Sequence, residues 1–364
     1  MMKRQLISIF LQATVLCSTA QTVPAKNTLK QVDALLQKHY RSNEPGAAVM
    51  IINNGKLVYK KCYGITSLQH KVAITPKTGF NIGSITKQFT ALAILQLVQN
   101  NRLSLSDPVS KYLPGINHVV TNRVTIRHLL THTSGIIDHY AYTDTTQGKH
   151  ARDKDVLKAV EKTDSLYFVP GSDYRYSNTA YCLLALIIEK VSDLSYADYI
   201  KKNIFGPLKM KHSVVLNPGE PIPARATGYR WDAANRVFIR SDREENFFFS
   251  TQGDGGIYAS LNDYAKWLKA LENGQLISPA LMKEAREIQC MIDPESRLGY
   301  GYGWFIRYKE TSPVVYHTGS NGGFRSVVYT QPEKGYALVL FSNRSGIDLE
   351  QLAEEINSLL RPRE

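Results

Sequence analysis

The chain has 364 residues, 43% of them hydrophobic and 21% charged, so it can bury one large core or two joined lobes and carries no signature of disorder. Its 44 lysines and arginines against 32 aspartates and glutamates leave a net charge of +12, but the basic residues are scattered and no nucleic-acid-binding or nucleotide-binding motif accompanies them. Four cysteines with no metal-like spacing imply neither a disulfide-stapled framework nor a metal scaffold, and core filling is their expected role.

Lys3 and Arg4 precede an apolar stretch from Leu6 to Leu16 and then Ser18-Thr19-Ala20, small residues of the kind a signal peptidase reads. The run is too short for a stable transmembrane anchor, so residues 1–20 read as a cleaved export signal and the protein as periplasmic or secreted. Leu16 stands where a lipobox needs a small residue, which argues against lipid attachment at Cys17.

Asn27 is expected to cap a helix carrying Leu29, Val32, Leu35, Leu36 and Tyr40 on one face. Ala47 to Ile52 and Lys56 to Tyr63 read as a β-hairpin joined by Asn53-Asn54-Gly55. Gly83-Ser84 then opens a helix that is apolar on nearly every face, from Phe89 through Val98. To about Phe248 the pattern is one of helices and proline-punctuated loops, with helices expected at Ile126 to Thr131, Val156 to Glu161, Thr179 to Val191 and Tyr196 to Ile204. Helices near Leu261 to Glu272 and Pro279 to Ile288 precede strands around Gly303 to Tyr308, Val314 to His317, Phe324 to Thr330 and Tyr336 to Ser342. A final helix from Asp348 carries Leu349, Leu352, Ala353, Ile356, Leu359 and Leu360. The expected organisation is a discontinuous α/β lobe (27–83 and 249–364) with a helical lobe (84–248) inserted between its strands.

Ser84-Ile85-Thr86-Lys87 places a serine and a lysine three residues apart where that buried helix begins. Residues i and i+3 share a helix face, so one turn can supply a nucleophile and its base, and the Ser84 N–H is among those left without an intrahelical partner. The tetrad alone equally fits a helix cap beside a solvated lysine. Tyr176-Ser177-Asn178 adds a phenol able to shuttle a proton and an amide able to orient a lysine and a substrate carbonyl. His317-Thr318-Gly319-Ser320 ends a strand that could pair with substrate backbone, with Gly319 clearing space for substrate and the Ser320 N–H as a second oxyanion donor.

In this order the three motifs resemble those of the serine penicillin-recognising enzymes, in the branch that holds class C β-lactamases, D-alanyl-D-alanine carboxypeptidases, D-aminopeptidases and β-lactamase-fold esterases. Leu129 to Gly135 and Gly253-Asp254-Gly255-Gly256 are similar to segments typical of that branch, and the resemblance spans nearly the whole chain after residue 20. It implies a β-lactamase/transpeptidase-like α/β (α+β) fold: an antiparallel sheet flanked by helices plus the inserted helical lobe. The implied chemistry is acyl transfer, with Ser84, Lys87 and Tyr176 catalytic, Asn178, His317, Thr318, Gly319 and Ser320 binding substrate, and no metal or organic cofactor. The expected function is an exported serine hydrolase of D-alanyl-D-alanine carboxypeptidase type, acting on a small-molecule or peptide substrate derived from peptidoglycan. The alternatives are an esterase, a class C-like β-lactamase, or a penicillin-binding sensor that acylates and stalls.

His317 departs from the lysine that commonly opens the third motif. With a reference pKa of about 6.5 it carries less charge toward a substrate carboxylate, and replacing it by lysine is expected to move the low-pH limb of the rate profile. Arg325 offers a compensating charge, although a strand arginine turned to solvent fits as well. Lys77-Thr78-Gly79 repeats the commoner motif literally but precedes Ser84 and reads as loop. His128 and His132 have zinc-like spacing, yet Leu129 stands where a metalloprotease glutamate belongs, so His132 reads as structural.

Overall fold

A computed structural model describes residues 24–116, 123–141, 151–217, 220–222, 224–241, 250–309 and 312–361. The export-signal and Cys17 expectations, and the lobe boundary near Phe248, fall outside the described residues.

The strands are β1 (Ala47–Asn53), β2 (Lys56–Tyr63), β3 (Phe80–Asn81), β4 (Val214–Val215), β5 (Tyr229–Asp232), β6 (Val237–Arg240), β7 (Ile257–Ala259), β8 (Cys290–Asp293), β9 (Leu298–Tyr300), β10 (Phe305–Lys309), β11 (Ser312–Asn321), β12 (Phe324–Gln331) and β13 (Tyr336–Ser342). Eight of them form an antiparallel sheet in the order β2-β1-β13-β12-β11-β10-β9-β8. Positive φ at Asn54 and Gly55 makes the turn between β1 and β2.

The helices are α1 (Lys26–His39), α2 (Thr86–Gln99), α3 (Ile126–Leu130), α4 (Asp153–Val160), α5 (Asn178–Ser192), α6 (Tyr196–Ile200), α7 (Leu261–Glu272), α8 (Pro279–Ala285) and α9 (Leu349–Leu360). Strand alternation sends Val49, Ile51, Leu338 and Leu340 to one core, with Val32 and Leu36 of α1 and Leu352 and Ile356 of α9. Ala48, Met50, Val339 and Phe341 point the other way, into a core shared with α2, α5 and α7. With both faces covered, β1 and β13 read as continuous apolar runs without polar alternation. Each large apolar side chain so buried contributes about 1.5–3 kcal/mol.

Between β3 and β7 the chain runs through α2 to α6, and it is less purely helical there than its sequence predicts. β3, β7 and β4 form a three-stranded sheet, and β5 and β6 a separate hairpin. β8 and β9 likewise extend the main sheet by two strands too short to show a periodic pattern. Every residue from Thr86 to Leu97 is buried, which makes α2 a central helix packed on all its faces.

Candidate active site

Ser84 sits in a 3-10 turn, Gly83–Ile85, that leads directly into α2. The turn is built on Asn81, whose Oδ1 accepts from Gly83 N at 2.8 Å while its Nδ2 donates to Gly255 O at 3.2 Å. Gly83 has φ +54°, and a Cβ there would lie 2.6 Å from Ser320 N, so only glycine lets β11 come this close to the Ser84 turn. Ser84 is half-buried whereas Lys87, one turn on, is completely buried.

Burying an ammonium costs several kcal/mol unless its donors are satisfied. Lys87 Nζ has an acceptor for each of its three hydrogens: Asn178 Oδ1 at 2.8 Å, Asp254 O at 2.9 Å and Ser84 Oγ at 3.2 Å. Nζ also lies 4.9 Å from the Tyr176 ring centroid and 5.4 Å from that of Tyr181, so the two rings form an aromatic cage around it.

Ser177 caps α5 by accepting from Ala180 N, which places Asn178 in its first turn facing α2. Asn178 uses both ends of its amide, Oδ1 toward Lys87 and Nδ2 donating to Tyr140 Oη at 3.0 Å. His132, which the sequence marks only as structural, holds this motif in place. Its Nδ1 accepts from Ser177 N at 3.0 Å, its carbonyl accepts from Arg175 N, and its ring lies 4.3 Å from that of Tyr176. Burial, then the charge of Lys87, pushes the His132 imidazole well below its ordinary pKa, and φ +60° at this residue marks a strained turn. His128 instead closes a capping box with Thr125 at the start of α3, a local duty that leaves no zinc pair.

β11 brings the third motif alongside. A Cβ on Gly319 would lie 2.0 Å from Ile82 O, so the glycine accommodates the backbone of the turn that carries Ser84. β10 pairs with β11 only from Ser312 to Tyr316, so beyond Tyr316 β10 does not cover that edge of the strand. Alternation puts Thr318 and Ser320 on the face of Tyr316, so what they present toward Ser84 is backbone.

His317 is 1% exposed, and both ring nitrogens are engaged: Nδ1 donates to Thr318 O at 2.6 Å, and Nε2 accepts from Tyr300 Oη at 3.2 Å. Burial first and Lys87 second push its pKa down to about 3, against the hydrogen bond to Thr318 O. This corrects the expectation that His317 titrates near pH 6.5 and faces substrate. Arg325 is likewise turned inward, its guanidinium donating to the carbonyls of Gly322 and Phe324.

The family described as Beta-lactamase matches residues 29–360. The chain belongs to the beta-lactamase family. Among relatives of this beta-lactamase-family chain, Protein flp of Staphylococcus aureus (strain MW2) is 31% identical over 334 residues, 90% of this chain and 66% of that protein. The chain thus spans just under two thirds of that relative. Penicillin-binding protein 4* of Bacillus subtilis (strain 168) is 30% identical over 88% of this chain and 72% of its own length. In structure, the octameric penicillin-binding protein homologue from Pyrococcus abyssi superimposes with a TM-score of 0.77 at 30% identity, covering 92% of this chain and 77% of that one.

Within this beta-lactamase-family fold the decoy Lys77-Thr78-Gly79 is a turn feeding β3, with Gly79 N donating to Ala224 O. Cys62, Cys182 and Cys290 are free thiols. Among the described residues Asp153, Cys182 and Asp254 bring potential metal-ligand atoms within 4.8 Å of one another. The set suits a cation poorly: the Asp153 oxygens already accept from Gln252 N and Gly253 N, and burial pushes the Cys182 thiol well above its ordinary pKa. No described helix is long and apolar enough to cross a membrane. The sequence did not reveal Asn81, Tyr140 or the carbonyl of Asp254; the last acts through backbone, which a side-chain pattern cannot display.

Proposed function

We propose that this protein is a serine hydrolase that cleaves an amide or ester through an acyl-enzyme on Ser84. The observation that carries it is a half-exposed serine whose Oγ lies 3.2 Å from a fully buried lysine Nζ, itself held by Asn178 and the Tyr176 ring. Ser84 Oγ attacks the carbonyl while its proton passes to the Lys87–Tyr176 pair in the form in which one of the two has already given up a proton. The N–H groups of Ser84 and Ser320, on backbones in contact through Gly83 and Gly319, stabilise the oxyanion. Tyr176 returns a proton to the leaving group, and water then attacks the ester carbonyl to release the acid and regenerate Ser84.

The first reading of the substrate is a D-alanyl peptide. The β11 edge past Tyr316 suits an extended peptide backbone, and relatives bear the description penicillin-binding protein. A specific observation favours a second reading: with His317 neutral and Arg325 turned onto its own loop, the strand puts no fixed positive charge from these two residues toward a substrate carboxylate. An ester or a D-amino-acid amide needs no such charge. Export by residues 1–20 would set either substrate outside the cytoplasm, a peptidoglycan-derived one included.

The test sets purified protein against a D-Ala-D-Ala peptide, a D-amino-acid anilide, a short-chain nitrophenyl ester and a chromogenic cephalosporin, with Ser84→Ala alongside. Turnover of at least one, lost by about 10³-fold or more in Ser84→Ala, is expected. Full activity in Ser84→Ala refutes the mechanism, and a stoichiometric burst without turnover on every substrate makes the protein a sensor.

A further inference from the structure

Beyond the Asp254 carbonyl that holds Lys87 lies a buried group of side chains with no part in the acyl transfer described above. Asp153, the first residue of α4, is 6% exposed; its Oδ1 accepts from Gln252 N at 3.0 Å and its Oδ2 from Gly253 N at 3.2 Å. The next residue along, Asp254, is the one whose carbonyl holds Lys87 Nζ, and Gly253 O accepts from Thr90 Oγ1 one turn further along α2. The segment is also wedged against α5, since a Cβ on Gly253 would lie 2.3 Å from Tyr181 O. A continuous set of hydrogen bonds therefore runs from the Asp153 carboxyl through the 252–254 backbone to Lys87 and on to Ser84.

The Asp254 side chain points back toward Asp153. It is 8% exposed, its Oδ1 has no hydrogen-bond partner among the described residues, and it comes within 4.8 Å of both Asp153 and Cys182. Two carboxylates this close in a dry site cannot both ionise without a large penalty. We propose that Asp153 is a positioning residue for Lys87, that the Asp153 and Asp254 carboxyls hold one proton between them, and that loss of this proton at alkaline pH fixes the proton on Lys87 and slows the enzyme. This rests on the reading of Ser84 and Lys87 as the acyl-transfer pair.

The groups facing the two carboxyls are Lys87 from α2, Cys182 from α5, Tyr196 from α6, and His139 and Tyr140 from the 139–141 turn, with Asp138 against His139. Burial drives Cys182, Tyr196 and Tyr140 up and His139 down, so none of these four carries charge near neutrality. Burial, then the charge of Asp254, holds the Asp153 carboxyl up at about 8.

Rate profiles of wild type, Asp153→Asn and Asp153→Ala on whichever substrate turns over test the proposal. Asp153→Asn keeps one backbone hydrogen bond and cannot ionise, so at pH 7 it should lose no more than severalfold in kcat, while the alkaline limb moves up by at least about one unit. Asp153→Ala loses both bonds and should lower kcat about tenfold or more at nearly constant KM. A purely structural Asp153 lowers Tm in both variants and leaves the shape of the profile alone; superimposable wild-type and Asp153→Asn profiles therefore overturn the proposal. One measurement needs neither folding of a variant nor turnover. In wild-type protein carrying ¹³C-labelled aspartate, infrared difference spectra from about pH 6 to about pH 10 should show a carboxylic-acid carbonyl band disappearing near pH 8. Absence of that band overturns the uncharged carboxyl even if Ser84 proves to be the nucleophile, and its presence in an inactive protein places the failure in the acyl-transfer reading.

Discussion

Gly319→Ala separates two roles for the third motif's glycine. If the glycine serves mainly to clear room for substrate, a methyl raises KM. If it serves to seat β11 against the nucleophile turn, a methyl lowers kcat. The methyl would sit 2.0 Å from Ile82 O and 2.9 Å from Ile82 C, both backbone, where ordinary contact begins at 3.4 Å. β11 must therefore retreat by about 1.4 Å (3.4 − 2.0), and Ser320 N moves with it. An oxyanion donor works only within about 2.7–3.1 Å of the developing charge, and losing one costs about 2.7–4 kcal/mol, or 10²–10³ in kcat. The expected result is a kcat down by about that factor with KM within about threefold, and a stability loss of about 1–3 kcal/mol from overpacking. Steady-state kinetics with a nitrophenyl ester and urea unfolding measure the two effects. Gly55→Ala is the control: a Cβ there meets nothing within 4 Å, so any strain from φ +71° should lower stability and leave kcat alone. A Gly319→Ala enzyme with kcat within about threefold of wild type, or with its defect wholly in KM, refutes the packing role.

Two further predictions concern protons. His317→Gln should leave the midpoint of any acid limb between about pH 5 and pH 7 where it stands in wild type, because His317 is held at about 3 and cannot supply that limb; a limb that vanishes in the variant would show that His317 titrates in the working range. For stability, His317, His132 and His139 are buried with depressed pKa values, so the unfolded chain binds their protons first as pH falls below about 6.5. The stability they confer is fully present above that pH and is lost toward acid, His317 alone contributing about 2 kcal/mol of loss between pH 6.5 and pH 5. Asp153 has the opposite sign: its folded value of about 8 lies above the ordinary carboxylate range, so it destabilises progressively as pH rises from about 4 to 8 and offsets one histidine in the acid window. Urea midpoints should therefore fall between pH 6.5 and pH 5 and decline gently from pH 6.5 to pH 8, and a flat profile across both windows would contradict the buried, neutral imidazoles.

Much of this architecture is legible in the chain because it rests on long apolar periodicity. The α2 run, the β1–β2 hairpin with Asn54-Gly55 and the α9 stripe each bury a face that the sequence displays. Strands of two to four residues such as β3, β4 and β9 exist only because a neighbour pairs with them, so nothing local announces them. The same division runs through the site. Ser84, Lys87, Tyr176 and Asn178 come from motifs whose side-chain chemistry is explicit, and the structure brings them together around Lys87 Nζ. The burial of His317 is not legible because a reference pKa says nothing of it, and the packing of Gly319 on Ile82 is not because that backbone belongs to a segment over two hundred residues away.

The neutrality of His317 also bears on how Lys87 can act as a base. A lysine at position 317 would set a second ammonium near Lys87, close enough that the charge of Lys87 already depresses the imidazole there. With a neutral ring in that place, and with His132, Tyr181 and Tyr300 all held uncharged by burial around the cage, Lys87 faces no competing cation from these neighbours. Its contact with the Asp254 carbonyl is braced in turn by Asp153, which holds the backbone of Gln252 and Gly253. On the proposed mechanism the backbone of β11 is left to bind substrate, so changes of substrate at that edge need not disturb the proton relay.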